Sequence, residues 1–572
     1  MFNLISRINQ YLSLVRKKQL IFLFILIIFL SLTEAISLAS IIPFIGVFMN
    51  PDLFFSSPWL SFFINFFEIN DNDQLFLLVT IIFISLLILS FLIRIFTIYL
   101  TNKITYFIEA DLKIKIFKYN INQSYSYHLK KSSYIVMSNI VQKTNAIAIF
   151  TNSFIQILGC SLTVLFILGV LLIIEPFIIL SVSSVVIFFF IFIAFLNRDR
   201  ILKNSEKISQ NQDKIVSTFQ DSVGYISEII LYSLHNIFTT KFNKSSQQIA
   251  ESQTYNTNIQ QSPRIYLEYL TLFCLVILIF YLNQSEFEIV NSFTLLAALG
   301  YGSQKVIPLI NRVYVCYSSM KNVQASVIDA LSILDSSKKE ENENLLSEKI
   351  ILDSSIKLDN IYFSYNNDEN YILKNISLEI KKGSKVGIKG TTGSGKSTLS
   401  NIIVGLLDPT KGKLFVNDTL INHQNKSMWQ KNIAIIPQNI FLNDVSIAEN
   451  IAIGIDKDKI DLEKVKNVSR QAQISDFVES KPNQYNEKVG ERGIKLSGGQ
   501  KQRIGIARAL YRDAKIILFD EATNQLDVDT ETLIMDSIYS LDKEITVILI
   551  AHRLSTLERC DKVIDLSKDF NN

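Results

Sequence analysis

Residues 390–397 read Gly-Thr-Thr-Gly-Ser-Gly-Lys-Ser, a G-x-x-x-x-G-K-S pattern. An alternating apolar segment, Lys385-Val386-Gly387-Ile388-Lys389, comes before it. Thr398-Leu399-Ser400-Asn401-Ile402-Ile403 follows it with helical spacing. Strand, small-residue loop and helix in that order form a phosphate cradle. Across Gly390, Thr391, Thr392, Gly393, Ser394 and Gly395, small side chains let backbone N–H groups point inward. The helix N-terminus adds positive potential. Lys396 then reaches the β- and γ-phosphates of a nucleotide, and Ser397 supplies a hydroxyl to Mg²⁺.

Working outward, further parts of an ATPase appear in chain order. Asp520 ends the apolar run Ile516-Ile517-Leu518-Phe519, which reads as a buried parallel strand. An acid at that strand end lies beside a phosphate loop and can hold the Mg²⁺ shell. Glu521 follows at once, and a second carboxylate there can polarise the attacking water as a general base. Gln438 follows Ile433-Ala434-Ile435-Ile436 and can ligate Mg²⁺ and sense the γ-phosphate. His552 follows the strand Thr546–Ala551 and can touch that phosphate and the water.

The chain of 572 residues exceeds one domain, and 49% of its residues are hydrophobic. The apolar runs crowd the first ~310 residues, before the charged stretch KKEENENLLS at 338–347. The expected organisation is an interfacial N-terminal helix over 1–18, a transmembrane domain over 19–325, a linker over 326–350 and an α/β ATPase domain over 351–572. A net charge of +3 gives no bulk electrostatic case for nucleic acid. The four cysteines, Cys160, Cys274, Cys316 and Cys560, lack C-x-x-C spacing and imply neither a disulfide framework nor a zinc site.

Apolar stretches at 19–49, 75–101, 147–174, 176–197, 265–284 and 288–312 each suit a bilayer span of ~20 residues. The fold class is thus an all-α six-helix transmembrane domain followed by an α/β P-loop domain. The 50–74 loop carries Asp52, Glu68, Asp71 and Asp73 with no Lys or Arg, while 102–146 and 198–264 are rich in both. The positive-inside rule therefore puts the N-terminus, both long loops and the ATPase domain in the cytoplasm of a multi-pass inner-membrane protein. Helical apolar spacing in those loops predicts that the membrane helices continue into the cytoplasm. Glu34, Arg94, Arg264, Lys305 and Arg312 fall in or beside the spans. An ionisable group at the bilayer centre costs about 2.5–3.5 kcal/mol. Two readings stand for the arginines: a cationic cavity suited to an anionic substrate, or side chains snorkelling to the interface. Two stand also for 51–67: an interfacial helix on the outer face, or an aromatic belt.

Leu496-Ser497-Gly498-Gly499-Gln500, followed by Lys501-Gln502-Arg503, resembles the signature sequence of ABC transporters. The resemblance covers essentially the whole chain, as in exporter half-transporters. It implies that Tyr365 stacks on adenine, that Gly390–Ser397 with Thr398 is the Walker A loop, and that Gln438 is the Q-loop glutamine. Asp520 and Glu521 become the Walker B pair and His552 the switch histidine. In this family the signature Ser497, Gly499 and Gln500 meet ATP held by the other copy's P-loop, which implies a homodimer. Two departures stand out: Asn524-Gln525-Leu526-Asp527 replaces Ser-Ala-Leu-Asp in the D-loop, and the tail after Val563 is short.

Within the family, Ser262-Pro263-Arg264-Ile265-Tyr266-Leu267-Glu268 resembles bacterial flippases of lipid-linked oligosaccharides. So do Glu34 ahead of Ile42-Pro43-Phe44, the aromatic segment after the first span, and Pro308 through Arg312. That resemblance implies that Arg94, Arg264, Lys305 and Arg312 engage a pyrophosphate-linked glycan, and that the outer helix meets its polyprenyl tail. The remaining alternatives are export of another lipid, peptide or drug, and a non-transporting or channel-like ABC ATPase.

Overall fold

The computed structural model describes residues 2–49, 51, 71–174, 176–284, 289–340, 350–365, 370–521, 528–551 and 555–567. The chain divides into two compact units. One comprises Met1–Gln123 and Lys131–Glu340, the other Ser124–Lys130 and Glu341–Asn572.

The first unit is helical: α1 (Phe2–Tyr11), α2 (Leu14–Ala39), α3 (Ile41–Met49), α4 (Asn72–Ile121), α5 (Thr144–Ile174), α6 (Pro176–Gly224), α7 (His235–Gln284), α8 (Ile289–Asn322) and α9 (Gln324–Glu340). Among the described residues four stretches are long and apolar enough to cross a membrane: Leu14–Met49, Asn72–Ile121, Ile135–Ile173 and Ile179–Gly224. The remaining two expected spans, 265–284 and 288–312, are helical where described, within α7 and α8. Small residues allow close helix approach, as membrane packing favours. Gly159 of α5 faces Ile27 of α2, and Gly302 of α8 faces Leu171 of α5. Ser31 and Thr163 hydroxyls share a hydrogen bond of 2.9 Å between α2 and α5.

The long helices do outrun the bilayer. At 50 residues α4 is about 75 Å long. Its second half changes character. Ile104, Ile108, Leu112 and Ile116, spaced four apart on one face, are buried against Leu4 and Ile8 of α1 and Val327, Leu331 and Leu334 of α9. Residues 326–340 of the expected linker are therefore helix, with Val327, Ala330, Leu331 and Leu334 fully buried. Their three- and four-residue spacing gave the signal, hidden by the charged run that follows. A buried lysine also ties this region together. Lys143, on the π-helical turn Asn139–Lys143, pairs with Asp329 of α9 at 3.0 Å and Asp213 of α6 at 3.4 Å.

The second unit holds β1 (Ser355–Phe363), β2 (Leu373–Lys381), β3 (Lys385–Lys389), α10 (Lys396–Ile403), β4 (Lys411–Val416), β5 (Thr419–Leu420), α11 (Lys426–Gln430), β6 (Ile433–Ile436), α12 (Gly498–Tyr511), β7 (Ile516–Asp520), β8 (Thr546–Ile550) and β9 (Lys562–Asp565). A five-stranded parallel sheet runs β6-β7-β8-β3-β9, and a four-stranded antiparallel sheet runs β2-β1-β4-β5. Side-chain alternation divides the parallel sheet between two cores. Ile516, Leu518, Ile548, Ile550 and Ile388 face the core that holds α10 and the antiparallel sheet. Ile517, Phe519, Val547 and Leu549 face the core that holds Ile504, Ile506 and Ala507 of α12.

Trp429 of α11 is fully buried, and its indole N–H donates to Ile403 O at the end of α10 at 3.0 Å. Trp429→Ala removes a large buried ring together with that bond. It is expected to cost about 3–5 kcal/mol and to lower the calorimetric unfolding midpoint of the purified full-length chain.

Candidate nucleotide site and membrane cation cluster

Residues 390–395 join β3 to α10 in a loop that only small residues permit. Gly393 and Gly395 take φ of +86° and +88°, where side chains are strained. A Cβ on Gly395 would stand 2.7 Å from Leu373 Cδ2. Lys396 is buried, and its ammonium donates to Gly390 O at 2.9 Å and Thr391 O at 3.1 Å. The Ser394 hydroxyl is buried without a partner. An orphan hydroxyl, a buried cation and a glycine cradle at a helix N-terminus fit a phosphate group. Tyr365 stands at the rim, its hydroxyl 3.2 Å from Thr398 Oγ1 and its ring edge-on to Phe363.

Across the sheet, β7 delivers Asp520 and then Glu521. Glu521 adopts φ +52°, and its N–H donates to Ile550 O of β8 at 3.0 Å. That left-handed turn ends the strand and swings the carboxylate toward β6. There Gln438 Nε2 donates to Glu521 Oε2 at 3.0 Å. Asp520 lies within electrostatic reach of Lys396, so the strand end and the phosphate loop are one site. Burial first, and the Glu521 charge second, hold the Asp520 carboxyl above its ordinary range, with Lys396 opposing. Ser397, Gln438 and Asp520 are the residues that would hold Mg²⁺, which neutralises phosphate charge when bound. No group of three or more His, Cys, Asp or Glu able to hold a metal exists among the described residues. His552 and residues 524–527 lie outside the described residues.

Ser497 is the exposed N-cap of α12 and forms a capping box with Gln500, and Gly498, Gly499 and Gln500 behind it are half-buried. Among the described residues no hydrogen bond or ion pair joins Ser497, Gly499 or Gln500 to residues 390–397. Helices α10 and α12 lie on opposite faces of the same sheet. Two residues that sequence reasoning passed over connect α12 to the segment after Gln438. A Cβ on Gly505 would stand 2.2 Å from Ile440 Cδ1, and Arg508 donates to Phe441 O at 3.1 Å and Asn450 O at 2.8 Å. Gly505, within the apolar run of α12, was the available signal.

In the helical unit, Arg94 Nη1 of α4 lies 3.4 Å from Glu34 Oε1 of α2. Lys305 Nζ of α8 donates to Ser37 Oγ at 2.8 Å and lies within electrostatic reach of Glu34 and Arg94. Arg312 Nε donates to Gln156 Oε1 of α5. Cys160 lies within electrostatic reach of both Arg94 and Arg312, so three of the four cations share one region. Arg264 pairs with Glu268 of its own helix at 2.8 Å and joins none of the other three.

Fold and site together define a P-loop ATPase domain fused to a helical unit with membrane-spanning character. Residues 373–524 match the ABC transporter family model. The heterocyst differentiation ATP-binding protein HepA of Nostoc sp. is 37% identical over 260 residues, 46% of this chain and 42% of that protein. The ATP-dependent lipid A-core flippase of Idiomarina loihiensis is 39% identical over 209 residues, 36% of each. The matched region thus spans less than half of these relatives. The structure of a bacterial Atm1-family ABC exporter with ATP bound superposes with a TM-score of 0.78 at 21% identity, covering 97% of this chain and 94% of that one. Residues 373–524 are thus similar to the ABC transporter domain, and the chain shares the fold of that exporter structure, a helical unit followed by one α/β nucleotide-binding unit.

The raised Asp520 value makes a stability prediction. The ionised carboxylate costs stability above its folded pKa, and the cost fades as pH falls through that value toward the ordinary 3.8. Asp520→Asn is expected to raise the nucleotide-free unfolding midpoint near neutral pH. The gain shrinks on acidification, as a series of thermal scans across pH reads directly.

Proposed function

We propose that this chain is an ATPase that works as a homodimer and drives an amphiphilic anionic substrate across the bacterial inner membrane. The favoured substrate is a (pyro)phosphate-linked lipid oligosaccharide. One observation carries the dimer: the phosphate loop and the signature helix occupy opposite faces of one sheet. A single chain therefore holds two half-sites, and a second copy supplies Ser497, Gly499 and Gln500 to the ATP on Lys396. Gln438 and Glu521, joined at 3.0 Å, are the pair that positions and polarises the attacking water. His552 assists at the γ-phosphate, and Tyr365 stacks on the adenine. ATP binds two closed ATPase domains better than two separated ones, so it draws them together and turns the membrane cavity outward. Hydrolysis releases them.

The grouping of Arg94, Lys305 and Arg312 supports an anionic head group, with Arg264 as the fourth member on the substrate's route. One observation favours a second reading, export of an uncharged lipid, peptide or drug. A chamber of about 550 Å³ lies among α5, α6, α7 and α8, lined by Leu168, Leu171, Ile187, Leu267, Val306 and Ile310. These α8 residues lie on the face away from Lys305 and Arg312.

Two experiments test the reading. Lys396→Ala and Ser497→Ala each abolish ATP hydrolysis alone. Co-expressed, they regain activity, because the mixed dimer holds one site with both halves intact; if hydrolysis stays absent in the mixed dimer, each chain's site is self-contained. In proteoliposomes, Glu521→Gln binds ATP and does not turn it over. Arg94→Ala with Lys305→Ala lowers flipping of a pyrophosphate-linked oligosaccharide by at least about tenfold. Undiminished flipping there favours the apolar chamber.

A further inference from the structure

We infer that Glu34 is a resident counter-ion that sets which anionic head groups the membrane cations accept, an inference that rests on the anionic-substrate reading above. Three helices build the arrangement. The Glu34 side chain is 6% exposed and meets Arg94 at 3.4 Å, while Arg94 itself stays more than half exposed. One turn along α2, Ser37 Oγ donates its only proton to Glu34 O at 2.8 Å. Its lone pairs are left to accept from Lys305 Nζ at 2.8 Å. Lys305 is thereby pinned beside the same turn of α2, with its ammonium also 5.1 Å from the Tyr301 ring centroid. Arg312 is held by the uncharged Gln156. Among the described residues one carboxylate thus lies with three cations, which leaves two of the positive charges there without a carboxylate partner.

That remainder discriminates between head groups. A pyrophosphate diester carries two negative charges and matches it. An ordinary phosphodiester lipid carries one. To engage Arg94 fully it must compete with a carboxylate that is already in place and is itself buried. Every bilayer presents phosphodiester lipids in great excess. Three uncompensated cations would bind them, and selectivity in such a setting is achieved by placing a competitor against the wrong ligand. Glu34 is that competitor. Its side chain is buried and faces Arg94, and a carboxylate in this setting is costly unless paired.

The test uses the full-length protein in nanodiscs of phosphatidylcholine. Equilibrium binding is measured for two probes, phosphatidylglycerol and a prenyl-pyrophosphate-linked saccharide. Wild type is expected to favour the pyrophosphate. Glu34→Gln tightens phosphatidylglycerol about tenfold and narrows the ratio. Glu34→Asp keeps the charge and the ratio. Glu34→Gln with Arg94→Gln restores two unbalanced charges and with them the discrimination. An unchanged ratio in Glu34→Gln, or a ratio lost equally in Glu34→Asp, overturns the inference. The substrate reading fails separately: wild type then ignores the pyrophosphate probe while Glu34→Gln still gains phosphatidylglycerol.

Discussion

The two faces of one parallel sheet govern the ATPase domain. Successive strand residues must point to opposite sides. In β7 and β8 every residue is apolar up to the strand ends, so both sides need a cover. One cover is α10 with the antiparallel sheet, the other the group of helices around α12. The consequence is chemical. The phosphate loop starts α10 and the signature turn starts α12, so one domain cannot bring both to one nucleotide. On the dimer reading proposed above, that separation is what a second copy has to bridge.

Charges of both signs meet at the end of β7 and the phosphate loop. Asp520 and Glu521 repel each other, and the Lys396 ammonium is occupied by carbonyls of its own loop. Asp520, with Ser397 and Gln438, would hold a divalent cation there, whose positive charge would offset the carboxylates, and Lys396 would offer its ammonium to phosphate in place of the loop carbonyls. Gln438 is tied to Glu521. Three residues on, Phe441 O accepts from Arg508 of α12, and Ile440 fills the space that Gly505 leaves open. Gln438 is thus linked by packing, within three residues, to the helix that carries Ser497. Burial of the Arg508 guanidinium disfavours its charge, which makes the two carbonyl acceptors necessary rather than incidental.

The ATPase domain was legible in the sequence because its parts are short and local. A loop between strand and helix, an acid at a strand end and a capped Ser-Gly-Gly-Gln turn each declare their position within a few residues. Membrane helices are legible by hydropathy, and the cytoplasmic extensions by a change of spacing partway along α4. The hidden features depend on residues far apart in the chain. That Glu34 meets Arg94, that Gln156 receives Arg312, and that Lys143 sits between Asp213 and Asp329 are facts of packing. No local pattern encodes them. The expected linker went astray for a related reason. The charged run after residue 337 masks an amphipathic helix whose apolar face needs α1 and α4 to be recognised.

The four cations singled out from the sequence are not equivalent, and the difference lies in what holds each. Lys305 donates to a serine hydroxyl whose own proton is committed, so it is fixed in place without being neutralised. Arg312 is likewise oriented by a neutral amide. Arg94 is partly neutralised by a sheltered carboxylate. Arg264 is paired with an exposed neighbour one turn away, an interaction worth only a few tenths of a kcal/mol. An incoming phosphate therefore meets least resistance at Arg264, finds preset donors at Lys305 and Arg312, and competes with Glu34 only at Arg94. On the reading proposed here, Arg264 suits first capture and Arg94 final discrimination, because the cost of releasing each cation from its resident partner rises in that order.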